Sequence, residues 1–282
     1  MNELFNDIEE RYIKTNGIIL HTIIAGSGEP VILLHGFPDF WYGWKNIIFG
    51  LRKQCKMIVP DMRGYNFSEK PREVKKYALK ILVEDIKGLS EELNLEKFTL
   101  VGHDWGGVVA WAFAEKYPGV LKKLIILNAP HPKIFQEKLR TDKEQQKASY
   151  YIFKFLQPDG EKFLHENGFY WLKKAVFDSI VNKEGFTEAD KQKYLEAWSQ
   201  PGALVSGVNY YRANLDFDEW TGIIDVPTLV IWGMKDSALL PGLLEGLENF
   251  VKEIKIVKSE NSSHWIMHDD PELIISSMYD LL

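Results

Sequence analysis

The chain is poor in the features that would send it to an oxidising compartment, a membrane or a nucleic acid. It has a single cysteine, Cys55, so no internal disulfide can form; this suits a reducing compartment. No apolar run approaches the ~20 residues that a membrane-spanning helix needs. The first residues, Met1-Asn2-Glu3-Leu4-Phe5-Asn6-Asp7, are acidic and have no apolar leader core. The net charge of -6 leaves neither a basic footprint for nucleic acid nor a polybasic segment for an anionic membrane. Repeats and low-complexity tracts are missing as well. What the 282 residues do hold is 45% hydrophobic and 13% aromatic, enough for one sizeable core or a core with an insertion. The expectation is a cytoplasmic chain, and the sequence carries no signal for an oligomeric state.

Arg11 to Thr15 and Ile18 to Ile24 are expected as strands joined by the hairpin turn Asn16-Gly17. Further strands are expected at Pro30 to Leu34, Met57 to Val59, Phe98 to Val101, Leu121 to Leu127, Pro227 to Trp232 and Ile254 to Val257. Cys55, just before one of them, is expected to be a small buried residue. Between Tyr77 and Leu93 the apolar positions recur at helical spacing, a second helical pattern runs from Trp105 to about Tyr117, and Pro271 to Leu282 closes the chain as a helix. Apolar strands alternating with amphipathic helices imply an α/β fold, a mostly parallel sheet covered on both faces. From about Pro130 to Asp225 this rhythm stops: the pattern is helical, rich in aromatics and without a convincing strand. The expected organisation is therefore a core of residues 1–129 and 226–282 with a helical cap, 130–225, inserted between two strands.

The most telling run is Gly102-His103-Asp104-Trp105-Gly106-Gly107, where a strand turns sharply into a helix. That is the context of the G-x-S-x-G nucleophile elbow, but its central position holds Asp104. A hydroxyl needs a base before it can attack, whereas a carboxylate is ionised at neutral pH. Attack by a carboxylate on an ester or amide carbonyl gives a labile anhydride; attack on a saturated carbon bearing a leaving group gives an ordinary ester. Asp104 therefore points to an alkylated intermediate formed from an epoxide or an alkyl halide. The plain alternative is that Asp104 merely caps the following helix.

An ester on Asp104 must be hydrolysed, which calls for a base to activate water and an acid to orient that base. Enzymes built on this elbow order the three as nucleophile, acid, base along the chain. Asp236 follows the strand ending at Trp232-Gly233, and His264 lies in Ser262-Ser263-His264-Trp265, between the last strand and the last helix. His264 and His268 also share the spacing of a zinc pair, but no Glu lies between them and no third ligand is evident, so no metal is expected. Oxyanion donors are expected from the backbone N–H groups of Trp105, after the nucleophile, and of Phe37, in the loop His35-Gly36-Phe37-Pro38.

The elbow, the loop His35-Gly36-Phe37-Pro38 with Trp41 and Trp44, and Ser263-His264-Trp265 together resemble the epoxide hydrolases of the α/β-hydrolase fold, over essentially the full length. The resemblance implies two cap tyrosines that protonate the opening epoxide. Tyr150-Tyr151-Ile152-Phe153 matches the first motif, with Tyr151 at the donor position, and Asn209-Tyr210-Tyr211-Arg212 the second, with Tyr211 there; Tyr150 and Tyr210 are the adjacent alternatives. Related dehalogenases depart from this pattern. Fluoroacetate dehalogenases carry arginines just after the nucleophile, where this chain has Trp105, Gly106, Gly107, Val108 and Val109, and many haloalkane dehalogenases place Asn where this chain has Phe37. Some relatives carry the acid after the preceding strand, where this chain has Asn128, which cannot serve. The expected reaction is hydrolysis of a small apolar epoxide by water to a vicinal diol, without metal or organic cofactor, in a site walled by Phe37, Trp41 and Trp105. The alternatives are a haloalkane dehalogenase with the same nucleophile and a non-catalytic ligand-binding relative.

Overall fold

The structure is a computed structural model and describes residues 8–217, 219–220 and 222–281. The acidic stretch Met1 to Asp7 and the last residue of the expected closing helix, Leu282, lie outside them. Among the described residues the strands are β1 (Ile8–Thr15), β2 (Ile18–Ala25), β3 (Glu29–Leu34), β4 (Cys55–Pro60), β5 (Phe98–His103), β6 (Leu121–Leu127), β7 (Thr228–Gly233) and β8 (Ile254–Ser259). They form one sheet in the order β1-β2-β4-β3-β5-β6-β7-β8. Only β2 runs against its neighbours; from β4 onward every pairing is parallel. The hairpin forms as expected: Thr15 pairs with Ile18, and Asn16 and Gly17 both take positive φ, 41° and 71°, as a two-residue turn matching strand twist requires. The first strand starts three residues before the expected Arg11, because Ile8 still finds a partner in Ala25.

The helices are α1 (Lys45–Leu51), α2 (Leu79–Glu92) and α3 (Trp105–Lys116); then, between β6 and β7, α4 (Pro132–Thr141), α5 (Lys143–Ala148), α6 (Tyr150–Phe155), α7 (Lys162–Val176), α8 (Glu188–Trp198) and α9 (Ala203–Ala213); then α10 (Ile266–Asp269) and α11 (Pro271–Tyr279). The stretch between β6 and β7 holds no strand among its described residues, only a single bridge from Ile224 to Val251.

Side chains alternate across the pleat and both faces are covered. Ile32, Leu34, Leu100, Ile126, Val230 and Trp232 face one apolar cluster with α2, α3 and the helices between β6 and β7. Val31, Leu33, Val101, Ile125, Leu127 and Ile231 face the other with α1 and α11. Each fully buried side chain of this size contributes about 1.5–3 kcal/mol. Cys55 is buried in the second cluster. α3 is buried on every side from Trp105 to Ala114, so its sequence is apolar all round. That burial anchors the turn preceding it. The carboxyl ends of β3, β5, β6 and β7 open toward the inserted helices, the edge at which parallel sheets of this kind place their sites. No helix among the described residues is long and apolar enough to cross a membrane.

Candidate active site

Asp104 occupies the turn between β5 and α3 with φ 50° and ψ -124°, a conformation that non-glycine residues rarely adopt. The turn closes only because small residues surround it. A Cβ on Gly106 would stand 2.2 Å from the Leu34 carbonyl oxygen, and one on Gly36 would stand 2.1 Å from Asp104 Oδ1. Although Asp104 occupies the N-cap position of α3, its carboxylate makes no capping hydrogen bond. Oδ1 instead accepts the Phe37 N–H at 2.8 Å, and the Trp105 N–H also supports the carboxylate. The strained turn thus holds the carboxylate against the Phe37 N–H and leaves it without a capping hydrogen bond to the first turn of α3, so the capping alternative does not hold.

His264 stands opposite. Its Nδ1 donates to Asp236 Oδ2 at 2.7 Å, while Nε2 lies 3.6 Å from Asp104 Oδ2, too long for a hydrogen bond but close enough for the charges to interact strongly. Asp236 is held from four directions. Oδ1 accepts the N–H groups of Ala238 and Leu239, both at 2.9 Å, and Oδ2 accepts His264 and the Asn128 amide at 2.8 Å. Asn128, at the end of β6, in turn accepts the Gly233 N–H at 2.8 Å. The nearby His103 donates from Nε2 to the His264 carbonyl at 2.8 Å, with the two rings 4.7 Å apart.

Burial pushes the Asp104 carboxyl above its ordinary value, and His264 with the two N–H donors only partly pulls it back. At His264 burial opposes charge, but the carboxylates of Asp236, Asp104 and Asp39 outweigh it and hold the imidazole up to about 9. The two carboxyl groups on either side of His264 thus favour its imidazolium form. His103, fully buried beside other histidines, is driven well below its ordinary value and stays neutral.

A cavity of about 260 Å³ opens over Asp104, lined by Trp105, Val108, Phe135, Tyr151 and Tyr211 among others. The Tyr151 and Tyr211 rings are 6.1 Å apart, edge to face. Burial, joined by the Asp104 charge, raises the pKa of both phenols. Their neighbours in sequence are placed elsewhere: Tyr150 is 62% exposed, and Tyr210 donates to the Arg63 carbonyl at 2.8 Å. Helical geometry explains the split, since adjacent residues lie about 100° apart on a helix.

Two of the rings expected on the cavity wall stand off it. Trp41 packs edge-on against Phe40 and Tyr42, with its N–H on Asp61. The Phe37 ring packs edge-on against Phe155 and Tyr211, behind the cavity-lining phenol. Because the Phe37 N–H is committed to Asp104, its side chain is directed away from the opening, and the short 3₁₀ turn Trp41–Trp44 carries Trp41 out of the site. Of the three expected wall residues only Trp105 lines the cavity. His268 also points elsewhere, stacked on Phe186 and bonded to the Tyr194 hydroxyl, and no group of side chains suited to a metal occurs among the described residues.

A family model described as alpha/beta hydrolase fold matches residues 29–271. The AB hydrolase superfamily protein YfhM of Bacillus subtilis is 40% identical over 271 residues, 94% of either chain, and Epoxide hydrolase 1 of Caenorhabditis elegans is 34% identical over 94% of this chain and 68% of its own. A solved structure of the Bacillus megaterium epoxide hydrolase in complex with an inhibitor superposes with a TM-score of 0.90 at 36% identity, covering 96% of this chain and 99% of that one. A variant of the same enzyme, complexed with its product (R)-3-[1]naphthyloxy-propane-1,2-diol, superposes with a TM-score of 0.91. The chain belongs to the epoxide hydrolases of the α/β-hydrolase fold.

Within this α/β-hydrolase fold the sequence reading overlooked three groups around the triad-like cluster. Asn128 was weighed only as an acid, yet it clamps Asp236. Its place at the end of a strand adjoining β7 is the signal that would have found it. His103 stood in the sequence only as part of the elbow run, yet it fixes the His264 backbone. Asp39, in the Phe37 loop, is buried with Oδ1 accepting the Tyr194 hydroxyl at 2.7 Å and the Phe40 N–H at 2.8 Å; burial pushes its carboxyl up to about 7. It gave no signal of its own, because its partner Tyr194 lies 155 residues away.

Proposed function

We propose that the chain converts an apolar epoxide, bearing an aryl or alkyl group, to a vicinal diol through an ester on Asp104. Tyr151 and Tyr211 hydrogen-bond the epoxide oxygen. Asp104 Oδ2 attacks a ring carbon, the carbon–oxygen bond breaks, and the alkoxide takes a proton from a phenol. Oδ1 becomes the ester carbonyl oxygen, already beside the Phe37 N–H. Esterification removes the Asp104 charge, one of those that hold His264 protonated, so the imidazolium yields its proton and the phenolate is restored. Neutral His264, oriented by Asp236, then takes a proton from water as its oxygen attacks the ester carbonyl. The Phe37 and Trp105 N–H groups stabilise the oxyanion, and collapse releases diol and returns the imidazolium between two carboxylates. Helices between β6 and β7, roughly residues 130–225, act in this reading as a cap carrying both phenols over the core. The observation that carries the proposal is the pair of phenols, Tyr151 and Tyr211, in the same cavity as Asp104: a leaving alkoxide needs a proton, whereas a leaving halide does not.

The test offers the protein an aryl epoxide, a terminal bromoalkane, fluoroacetate and an activated aryl ester. Diol should form from the epoxide, with little bromide release, inert fluoroacetate and a poor ester reaction. Bromide release with a kcat/KM above that of several epoxides would overturn the assignment in favour of a dehalogenase, and tight binding of one compound without turnover of any would favour a binding protein.

The charges also set a pH dependence. In the resting protein His264 should stay protonated up to about 9. In the ester intermediate its pKa should fall below that, since the Asp104 contribution is gone. Rapid-mixing kinetics should therefore show hydrolysis of the ester rising with pH through an inflection below 9. Alkylation should instead be lost only on the acid side, above the ordinary carboxylate range, as Asp104 becomes protonated. A hydrolysis inflection at or above 9 contradicts the coupling.

A further inference from the structure

Tyr151 and Tyr211 sit on different helices, and the two helices are held in different ways. Tyr211 lies on α9, which is fastened to the core along its length. Tyr210 donates to the Arg63 carbonyl and the Tyr77 hydroxyl to Ser206, both at 2.8 Å. At its end Asn214 accepts the Leu79 N–H at 2.7 Å and donates to the Tyr77 carbonyl at 3.0 Å. Tyr151 lies on α6, which has only six residues. A helix so short is not stable by itself, so its place is set by what grips its two ends. The first end is reached through Gln145, which donates to the Ser149 hydroxyl and the Ala238 carbonyl, both at 2.8 Å, and accepts the Leu240 N–H at 3.0 Å. The second end is gripped by Arg212, the residue after Tyr211. Its Nε donates to the Phe155 carbonyl at 3.0 Å, and its Nη2 to the Gln157 carbonyl at 3.2 Å and the Glu161 carboxylate at 2.6 Å. The last carbonyls of a helix lack partners within it, and a basic side chain can supply them. Here that side chain comes from α9. Phe155 lies four residues after Tyr151, on the same face one turn on, and its ring is 4.9 Å from that of Tyr211.

We infer that Arg212 is a positioning residue for Tyr151: it ties the second end of α6 to α9 and so sets how Tyr151 stands to Tyr211 and Asp104 while the epoxide opens. This rests on the epoxide-hydrolase reading. Both phenols must reach one oxygen atom, and a misplacement of about 1 Å can cost on the order of 10²-fold in rate. Guanidinium suits the task, because its planar fork sends donors in fixed directions to two carbonyls and a carboxylate at once; a lysine ammonium has no such fork. The consequence is asymmetric. Without Arg212, α9 keeps its own bonds to the core and Tyr211 stays in place, whereas α6 loses the grip on one end and Tyr151 does not.

The test is rapid-mixing kinetics of Arg212→Met and Arg212→Lys, alone and combined with Tyr151→Phe or Tyr211→Phe. Methionine keeps an unbranched side chain that suits a helix and removes every donor; lysine keeps the charge beside Glu161 without the fork. Arg212→Met should slow alkylation by roughly tenfold or more, while the alkylated protein decays at the wild-type rate. Arg212→Lys should fall between the two. Added to Tyr151→Phe, Arg212→Met should cost little further, since the phenol it positions has lost its proton. Added to Tyr211→Phe it should cost at least as much as in the wild type, because Tyr151 is then the donor that remains. Wild-type alkylation in Arg212→Met, an equal fall in both half-reactions, or the same cost on both backgrounds would overturn the inference. If Arg212→Met does not fold, Arg212→Lys carries the same comparisons. Amide hydrogen exchange reads the grip without turnover: both variants should exchange faster over α6 and as the wild type over α9. Unchanged exchange over α6, or protection lost across all the inserted helices, would overturn it as well. If the wild type consumes no epoxide, the reaction is misassigned, and the exchange pattern still decides whether Arg212 holds α6.

Discussion

His264→Ala is expected to stop the reaction half-way, with the protein alkylated and turnover reduced by about 10³–10⁴-fold, the range that general acid–base groups supply. Asp104 needs no base in order to attack, so the first half-reaction should survive. The second needs a group within reach of a water at the ester, and removal of the imidazole leaves none in its place: His103 is committed to the His264 carbonyl and its ring is held neutral by burial. Intact-protein mass spectrometry after mixing with a turned-over epoxide should show one added substrate mass, and peptide mapping should locate it on Asp104. An adduct on another residue, or full activity in Asp104→Ala, removes Asp104 from the role of nucleophile. The change should be tolerated by the fold, because the carboxylate left behind, Asp236, keeps three other hydrogen bonds.

The second large effect is expected at the two phenols. Tyr151→Phe and Tyr211→Phe should each slow alkylation, and the double variant should fall by about 10²–10⁴-fold, the usual worth of a general acid. Single losses should be smaller, because each phenol can partly replace the other. The effect should appear in the alkylation rate and leave hydrolysis of a preformed ester unchanged. Tyr210→Phe is the internal comparison. It removes the hydroxyl bonded to the Arg63 carbonyl, so it should lower stability by about 1 kcal/mol and leave alkylation intact. Wild-type alkylation in the double variant would reduce Tyr151 and Tyr211 to packing.

The chain order Asp104, Asp236, His264 was legible because Asp104 and Asp236 follow short apolar runs that close on glycine and His264 lies in the loop between the last strand and the last helix. The parallel sheet was legible for the same reason, since strands buried on both faces lose their alternation and become apolar throughout. The Asn16-Gly17 hairpin needed only the local preference of those two residues for positive φ. Strand limits moved by a few residues where a partner was present or missing, as with Ile8, since pairing is settled between strands.

Tertiary structure decided whatever depends on the direction of a side chain at long range. The resemblance put Tyr151 and Tyr211 at the donor positions with Tyr150 and Tyr210 as adjacent alternatives, and it is the packing of α6 and α9 that turns Tyr151 and Tyr211 to the cavity. Sequence put Phe37 and Trp41 on the substrate wall because they flank the oxyanion loop, yet the Phe37 N–H is spent on Asp104 and the following 3₁₀ turn carries Trp41 away. It passed over Asn128, His103 and Asp39, whose importance lies in partners 108, 161 and 155 residues off. The nucleophile's chemistry is local, the property of one carboxylate in one strained turn. What surrounds it is set by contacts between segments remote in sequence, and the pattern along a single chain carries those contacts only weakly.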